Sequence, residues 1–361
     1  MSNYYLIFIW IAIFALLTYA TEMDRKEIVY GKNVYRIQPV WAVILVVPLV
    51  IWAANRGYVG DTGSYMKVFR EMPSQLSELV SYMGTHTKDE GFYFVSAIIK
   101  IFITENVKVY FLIVAAIQAF LLFRVYRKYS SRYAVSFFLF IASTDCISWM
   151  FNGMRQFVAV TITLLAFESI IEKKYIKAII IILIASLFHQ SALLVIPFVF
   201  VVQGEAWNIK TLVFMAAIIV ALSSVEQFTN LLDELLQETQ YENVVSDWEM
   251  FEDDGTNILR VLVYSVPTFL SLIGLKYIKQ ENSRILNICT NMSIISMGLY
   301  VISMFTSGIF IGRLPIYFSL YNYILLPWEI DNMFEKKSVK IVYGVMTIAY
   351  LGFYLYSVRG W

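Results

Sequence analysis

The chain has 361 residues, 59% of them hydrophobic and only 15% charged, with a mean hydropathy of +0.66. A soluble domain carries nearer a quarter charged residues, so this composition marks an integral membrane protein. The net charge of +1 and the absence of a basic tail argue against nucleic-acid partners. Cys146 and Cys289 both sit in apolar runs and offer neither a disulfide framework nor a zinc spacing.

A bilayer span takes roughly 20 apolar residues. Apolar runs fall at 4–20, 39–54, 107–124, 133–150, 154–171, 176–189, 191–203, 209–225, 258–275, 285–304, 314–328 and 339–356. The first has no basic residue before it and no small-x-small cleavage site, so it reads as a retained span, not a secretory leader. The stretch 176–203 is interrupted at His189-Gln190-Ser191, which predicts two short helices instead of one long one. No repeat, linker or low-complexity tract divides the chain. The expectation is an all-α, polytopic transmembrane bundle of about 12 spans, a single integral membrane domain over 1–361.

Lys and Arg set the orientation. Arg25, Lys26, Lys32 and Arg36 lie in one short loop, and Arg124, Arg127, Lys128 and Arg132 in another. Lys173, Lys174 and Lys177, then Lys276, Lys279 and Arg284, then Lys336, Lys337 and Lys340 follow. All fall on the cytoplasmic side if both termini are outside. Loop 226–257 has no Lys or Arg and ten Asp or Glu, and lands outside. The scheme requires that 92–103 does not cross the membrane. This run carries Lys100 between Glu90 and Glu105, which suits a re-entrant or interfacial helix. The outer regions are then 55–106 and 226–257. Within the second, Phe228, Leu231, Leu232, Leu235 and Leu236 recur at helical spacing and predict an amphipathic helix over 226–240. Asp253-Asp254 is a solvated acidic tip with no nucleotide-binding fold beside it.

Polar motifs gather at the outer boundary. Arg56 opens a loop with three glycines, Gly57, Gly60 and Gly63, that also holds Asp61 and leads to Tyr65. Such a loop lets backbone approach a ligand closely. Either Arg56 binds phosphate, with Asp61 as a base or sugar-orienting group, or the two form a structural pair. Glu90-Gly91-Phe92 starts the non-crossing segment, where an acid also suits a helix N-terminus. Met154-Arg155-Gln156 follows a hairpin with almost no loop. Arg155 there either snorkels to headgroups or binds an anion, and Gln156 adds amide groups suited to sugars or phosphate. His189 either satisfies a helix–helix hydrogen bond or transfers a proton. The other histidine, His86, lies in a polar loop. Arg313 precedes Pro315 and Tyr317 at the start of another apolar run. A guanidinium beside hydrocarbon is costly and binds phosphate oxygens bidentately. Arg56, Arg155 and Arg313 at one membrane face therefore point to an anionic ligand, a lipid pyrophosphate first.

Taken in order, these pieces resemble the EpsG family of Wzy-type polymerases. They are Arg56 with Val59-Gly60-Asp61-Thr62 and Tyr65, Glu90-Gly91-Phe92, Met154-Arg155-Gln156, Phe188-His189-Gln190-Ser191-Ala192, and Arg313 with Tyr317-Phe318. The family often has Gly-x-Asp-Thr where Asp61 here follows Gly60 directly. The resemblance implies a metal- and cofactor-independent glycosyltransferase of exopolysaccharide, capsule or O-antigen synthesis. It would join oligosaccharide repeat units carried on undecaprenyl pyrophosphate at the outer face of the bacterial cytoplasmic membrane. Arg56, Arg155, Gln156, Arg313, Tyr65 and Tyr317 would bind substrate, and Asp61, His189 or Glu90 would supply the base. Its partners would be the lipid-linked oligosaccharide, membrane lipids, and a chain-length regulator and flippase of the same pathway. The alternatives are a lipid-linked oligosaccharide flippase or transporter, which should show internal repeats and a polar path through the bilayer, and an outer-face ligase or acyltransferase.

Overall fold

The computed structural model describes residues 2–20, 24–29, 32–235 and 255–360. They form two compact units, Met1–Ile196 with Ile348–Trp361, and Pro197–Thr347.

The first unit opens with α1 (Ser2–Ala20), then a hairpin of β1 (Asp24–Val29) and β2 (Lys32–Ile37). The strands are antiparallel, with Arg25 opposite Arg36 and Val29 opposite Lys32. This hairpin corrects the purely helical expectation, which has a plain loop in the basic segment. α2 (Pro39–Ala54) starts on Pro39, tolerated where a helix lacks N–H acceptors, and stops where Asn55 returns its side chain to the Ile51 carbonyl.

Three short helices follow, α3 (Thr62–Glu71), α4 (Leu76–Met83) and α5 (Glu90–Phe102). They pack on α6 (Val107–Tyr129) around Phe69, Met72, Phe92, Ile99 and Tyr110. Phe69 and Tyr110 stack at 4.1 Å between ring centroids. α5 covers the run expected not to cross. Its Lys100 is buried, and the ammonium donates to the carbonyls of Arg70 and Met72 at the end of α3. A cation there satisfies helix-terminal carbonyls that would otherwise be orphaned.

α7 (Tyr133–Ala142) is followed by a break and a π-helix, Cys146–Asn152, at 79° to it. Thr144 in the break has φ 69°, a genuine outlier for a β-branched residue. The π-helix delivers Asn152 to the start of α8 (Met154–Leu164), which continues as α9 (Ala166–Ile171). α10 (Tyr175–Ser186) ends before a 3-10 turn, Gln190–Leu194, and α11 (Val195–Val201), so the two-helix reading of 176–203 holds.

The second unit is built on α12 (Ile209–Ser223), α13 (Val225–Leu235), α14 (Ile258–Ile273), α15 (Leu275–Glu281), α16 (Arg284–Met304), α17 (Ile316–Ser319) and α18 (Asn322–Met333). α19 (Val339–Ser357) returns the chain to the first unit. Side-chain polar bonds pin its helices, Thr268 to Ser293 at 2.7 Å and Asn322 to the Tyr264 carbonyl at 3.1 Å. α13 is the described part of the amphipathic segment, and its Phe228 packs on Ile218, Ile302 and Ile311. The rest of that segment, with Asp253 and Asp254, lies outside the described residues.

All twelve apolar runs are largely helical, several of them with breaks. Among the described residues, α6, α8 with α9, α16 and α19 are each long and apolar enough to cross a membrane, and the two bent pairs bring the number to six. Five further apolar helices are shorter, 10–17 residues.

Candidate functional site in the first unit

Arg56 turns inward two residues beyond α2. Its Nε donates to Thr62 Oγ1 at 3.2 Å, Nη1 to the Ala53 carbonyl at 3.4 Å and Nη2 to Met154 Sδ at 2.7 Å. The guanidinium lies 3.9 Å from the Phe111 ring centroid and 5.6 Å from that of Phe151. It is 8% exposed, and among the described residues no carboxylate pairs with it. Burial lowers its pKa to about 10, partly offset by Tyr65 and Tyr110, which leaves it charged at neutral pH. The structural Arg56–Asp61 pair is not formed. Asp61 is exposed at the start of α3, and its backbone N–H donates to Asn152 Oδ1 at 2.7 Å. Gly60 makes this possible: it has φ 48°, and a Cβ there would strike the Asn152 side chain.

Arg155, the second residue of α8, donates from Nη1 to Asp89 Oδ2 at 3.0 Å and to the Tyr93 hydroxyl at 3.1 Å. Tyr65 lies between the two arginines, close enough for its hydroxyl to interact electrostatically with both. Burial raises the Tyr65 pKa while Arg155 opposes the rise.

Asp89 is the residue sequence reasoning missed. It is buried and precedes α5 in the left-handed conformation, φ 53°. One carboxylate oxygen takes Arg155, and the backbone N–H of Gln190 also donates to the group. The other oxygen, Oδ1, is buried without a hydrogen-bond partner. Burial raises its pKa, against the pull of Arg155. The neighbouring Glu90, chosen from sequence, is exposed. Next to Asp89, the Gly91 N–H donates to the Leu187 carbonyl at 2.8 Å, and a Cβ on Gly91 would crowd Leu187 at 3.0 Å. The break between α10 and α11 is thereby docked against the start of α5. His189 caps the 3-10 turn there, its Nδ1 2.7 Å from Ser191 Oγ.

An aromatic stack borders the arginine. Tyr82 and His86 have ring centroids 4.4 Å apart, and His86 and Tyr93 4.2 Å. Burial, with Tyr93 and Glu71 adding to it, pushes the Tyr82 pKa up to about 12. Arg155 is half-buried, whereas Gln156 is buried.

The first unit thus brings together Arg56, Tyr65, Arg155 and the His189 loop, with Asp61 on the adjoining Gly-rich loop. Arg313 and Tyr317 belong to the second unit. Arg313 ends the 3-10 turn Ile311–Arg313 and is exposed, and Tyr317 is buried in α17. Among the described residues no three His, Cys, Asp or Glu side chains cluster as a metal site.

The EpsG family profile matches residues 40–360. The chain belongs to the EpsG family. This is a family of Wzy-type polysaccharide polymerases, and membership indicates a polymerase-type, glycosyltransferase-like function in polysaccharide biosynthesis. No curated protein and no solved structure matches the chain. The EpsG match starts at α2 and includes every candidate residue above.

Proposed function

We propose that this EpsG-family protein polymerises oligosaccharide repeat units carried on undecaprenyl pyrophosphate. The observation that carries this reading is Arg56, a buried guanidinium with no carboxylate beside it among the described residues, close to the half-buried Arg155. A buried cation without an anion is costly, and a ligand phosphate would supply the missing charge. The growing chain is transferred from its carrier. A hydroxyl oxygen of the incoming unit attacks the anomeric carbon of the reducing-end sugar, the C–O bond to pyrophosphate breaks, and the hydroxyl proton passes to a base. The electron pair leaves with the lipid pyrophosphate, whose charge Arg56 and Arg155 stabilise.

Asp61 is the first choice of base. It is exposed on the loop that carries Arg56 and forms no ion pair with that arginine. His189 is second and Glu90 third. Tyr65 and the Tyr82–His86–Tyr93 stack offer hydroxyl and ring surfaces to sugars. Arg313 and Tyr317 are the family-motif candidates of the second unit. The Lys and Arg asymmetry supports an extracytoplasmic reaction in the cytoplasmic membrane. The test is incubation of purified protein with a lipid-linked repeat unit. A ladder of products on a gel is expected, with no nucleotide added. Unchanged substrate in the presence of folded protein would contradict the reading.

A further inference from the structure

A second feature of the first unit lies away from the arginine site. A groove of about 520 Å³ runs between α2 and α6. Its floor is low because Ala42, Ala116 and Ala119 stand where larger residues would fill it, and exposed Val43, Val47 and Phe120 form its walls. These positions recur every three or four residues on both helices, so the groove follows the helix axes. From Pro39 to Ile51 it is about 18 Å long at 1.5 Å per residue. One leaflet of a hydrocarbon core about 30 Å thick is about 15 Å deep. The groove therefore has the length of one leaflet's acyl chain.

Arg124 and Arg127 line the groove at one end. Arg127 is fixed there, its Nε donating to the Ile37 carbonyl at 2.8 Å. Arg124 is exposed and makes no ion pair among the described residues. The nearby Glu168 is engaged by Lys128 at 2.6 Å. An apolar slot of leaflet depth that ends in two guanidinium groups is complementary to one chain and the phosphate of an anionic lipid.

We propose that this groove is a binding site for an anionic phospholipid, with one acyl chain along α2 and α6 and the phosphate on Arg124 and Arg127. The arginine pair lies at the start of α2, whereas Arg56 follows its other end, about 15 residues or roughly 22 Å along the axis. The site is thus separate from the proposed pyrophosphate site. A polyprenyl carrier has a chain several times longer than the groove, and its headgroup would belong at the Arg56 end. By the positive-inside rule the bound lipid is in the cytoplasmic leaflet.

The test is native mass spectrometry of the detergent-purified full chain. Phosphatidylglycerol, phosphatidylcholine or undecaprenyl phosphate is added at equal concentration. Phosphatidylglycerol should be retained at least about tenfold better than phosphatidylcholine. Arg124→Gln, a change at an exposed side chain, should weaken that preference, and Arg124→Gln with Arg127→Gln should abolish it. Ala116→Trp fills the groove and leaves both arginines, and should also lose the lipid, which simple headgroup snorkelling would not predict. Arg56→Ala and Arg155→Ala should retain it. Equal retention of the two phospholipids, retention unaffected by Ala116→Trp, preference for undecaprenyl phosphate, or a lipid-free dimer would each overturn the proposal.

Discussion

Asp89 and Arg155, 66 residues apart in the chain, form an ion pair at 3.0 Å that ties the start of α5 to the start of α8. The pair is asymmetric: Asp89 is buried while the Arg155 side chain is 37% exposed. In the proposed function Asp89 is thus a positioning residue, and the exposed guanidinium is the part offered to the pyrophosphate. Asp89→Ala should change stability by no more than about 1 kcal/mol at neutral pH, because burying the carboxylate offsets much of what its bond to Arg155 contributes. Polymer formation should fall about tenfold or more, chiefly through weaker substrate binding. A raised KM with little change in kcat would show this, whereas loss of kcat alone would place Asp89 in the chemistry.

Ionisation of Asp89 gives a pH signature. Burial raises its pKa above the ordinary 3.8, so the folded protein holds this proton more tightly than the unfolded chain. Its contribution to stability is fully present below 3.8 and is lost as pH rises through the raised value. Ionisation, in contrast, is what pairs it with Arg155. As pH falls through that raised value, polymer formation should therefore drop while Tm rises relative to Asp89→Asn. Superimposable pH profiles for the two proteins would assign the acid limb to another group.

The Gly-rich loop is held by contact with Asn152. Gly60→Ala would displace the Asn152 side chain and strain a residue at φ 48°, at a cost of about 1–2 kcal/mol. Asn152→Ala releases the same loop without that strain. Both should slow polymer formation, and Gly57→Ala, which meets nothing within 4 Å, should not. Equal activity of all three would mean the loop's position is immaterial.

Asp61→Asn should reduce turnover at least about 100-fold if Asp61 is the base. His189→Gln should then have a smaller effect. The reverse order transfers the role to His189.

Orientation is open to direct labelling. Cysteines introduced at Glu90 and Arg132 should react oppositely with an impermeant maleimide on intact cells, Glu90→Cys labelled and Arg132→Cys protected. Labelling of Arg132→Cys would invert the scheme.

Much of the fold was legible because hydrocarbon tolerates few patterns. Every long apolar run is largely helical, the His189 interruption does separate α10 from α11, and Lys100 does mark a segment packed beside α3 and α4. The hairpin of β1 and β2 was hidden, since its register sets Arg25 against Arg36 and its polar strands read as a loop. The sharp bend after α7 carries no Gly or Pro, only a strained Thr144. At the site, Arg56, Arg155 and the His189 loop could be picked out because polar residues beside apolar runs are conspicuous. Asp89 could not be distinguished from Glu90, because only the left-handed backbone decides which acid faces Arg155. Nor did sequence show that Arg56 leaves Asp61 for an aromatic pocket made by α6 and the π-helix.

The most direct measurement is release of undecaprenyl pyrophosphate from a purified lipid-linked repeat unit, counted against new glycosidic bonds. The account predicts one pyrophosphate per bond for the wild type and loss of both products in Arg56→Ala and Arg155→Ala variants that remain folded. Arg56→Lys and Arg155→Lys should recover little, because lysine lacks the planar fork. Wild-type release and bond formation in a folded Arg56→Ala, Arg155→Ala double variant would contradict it.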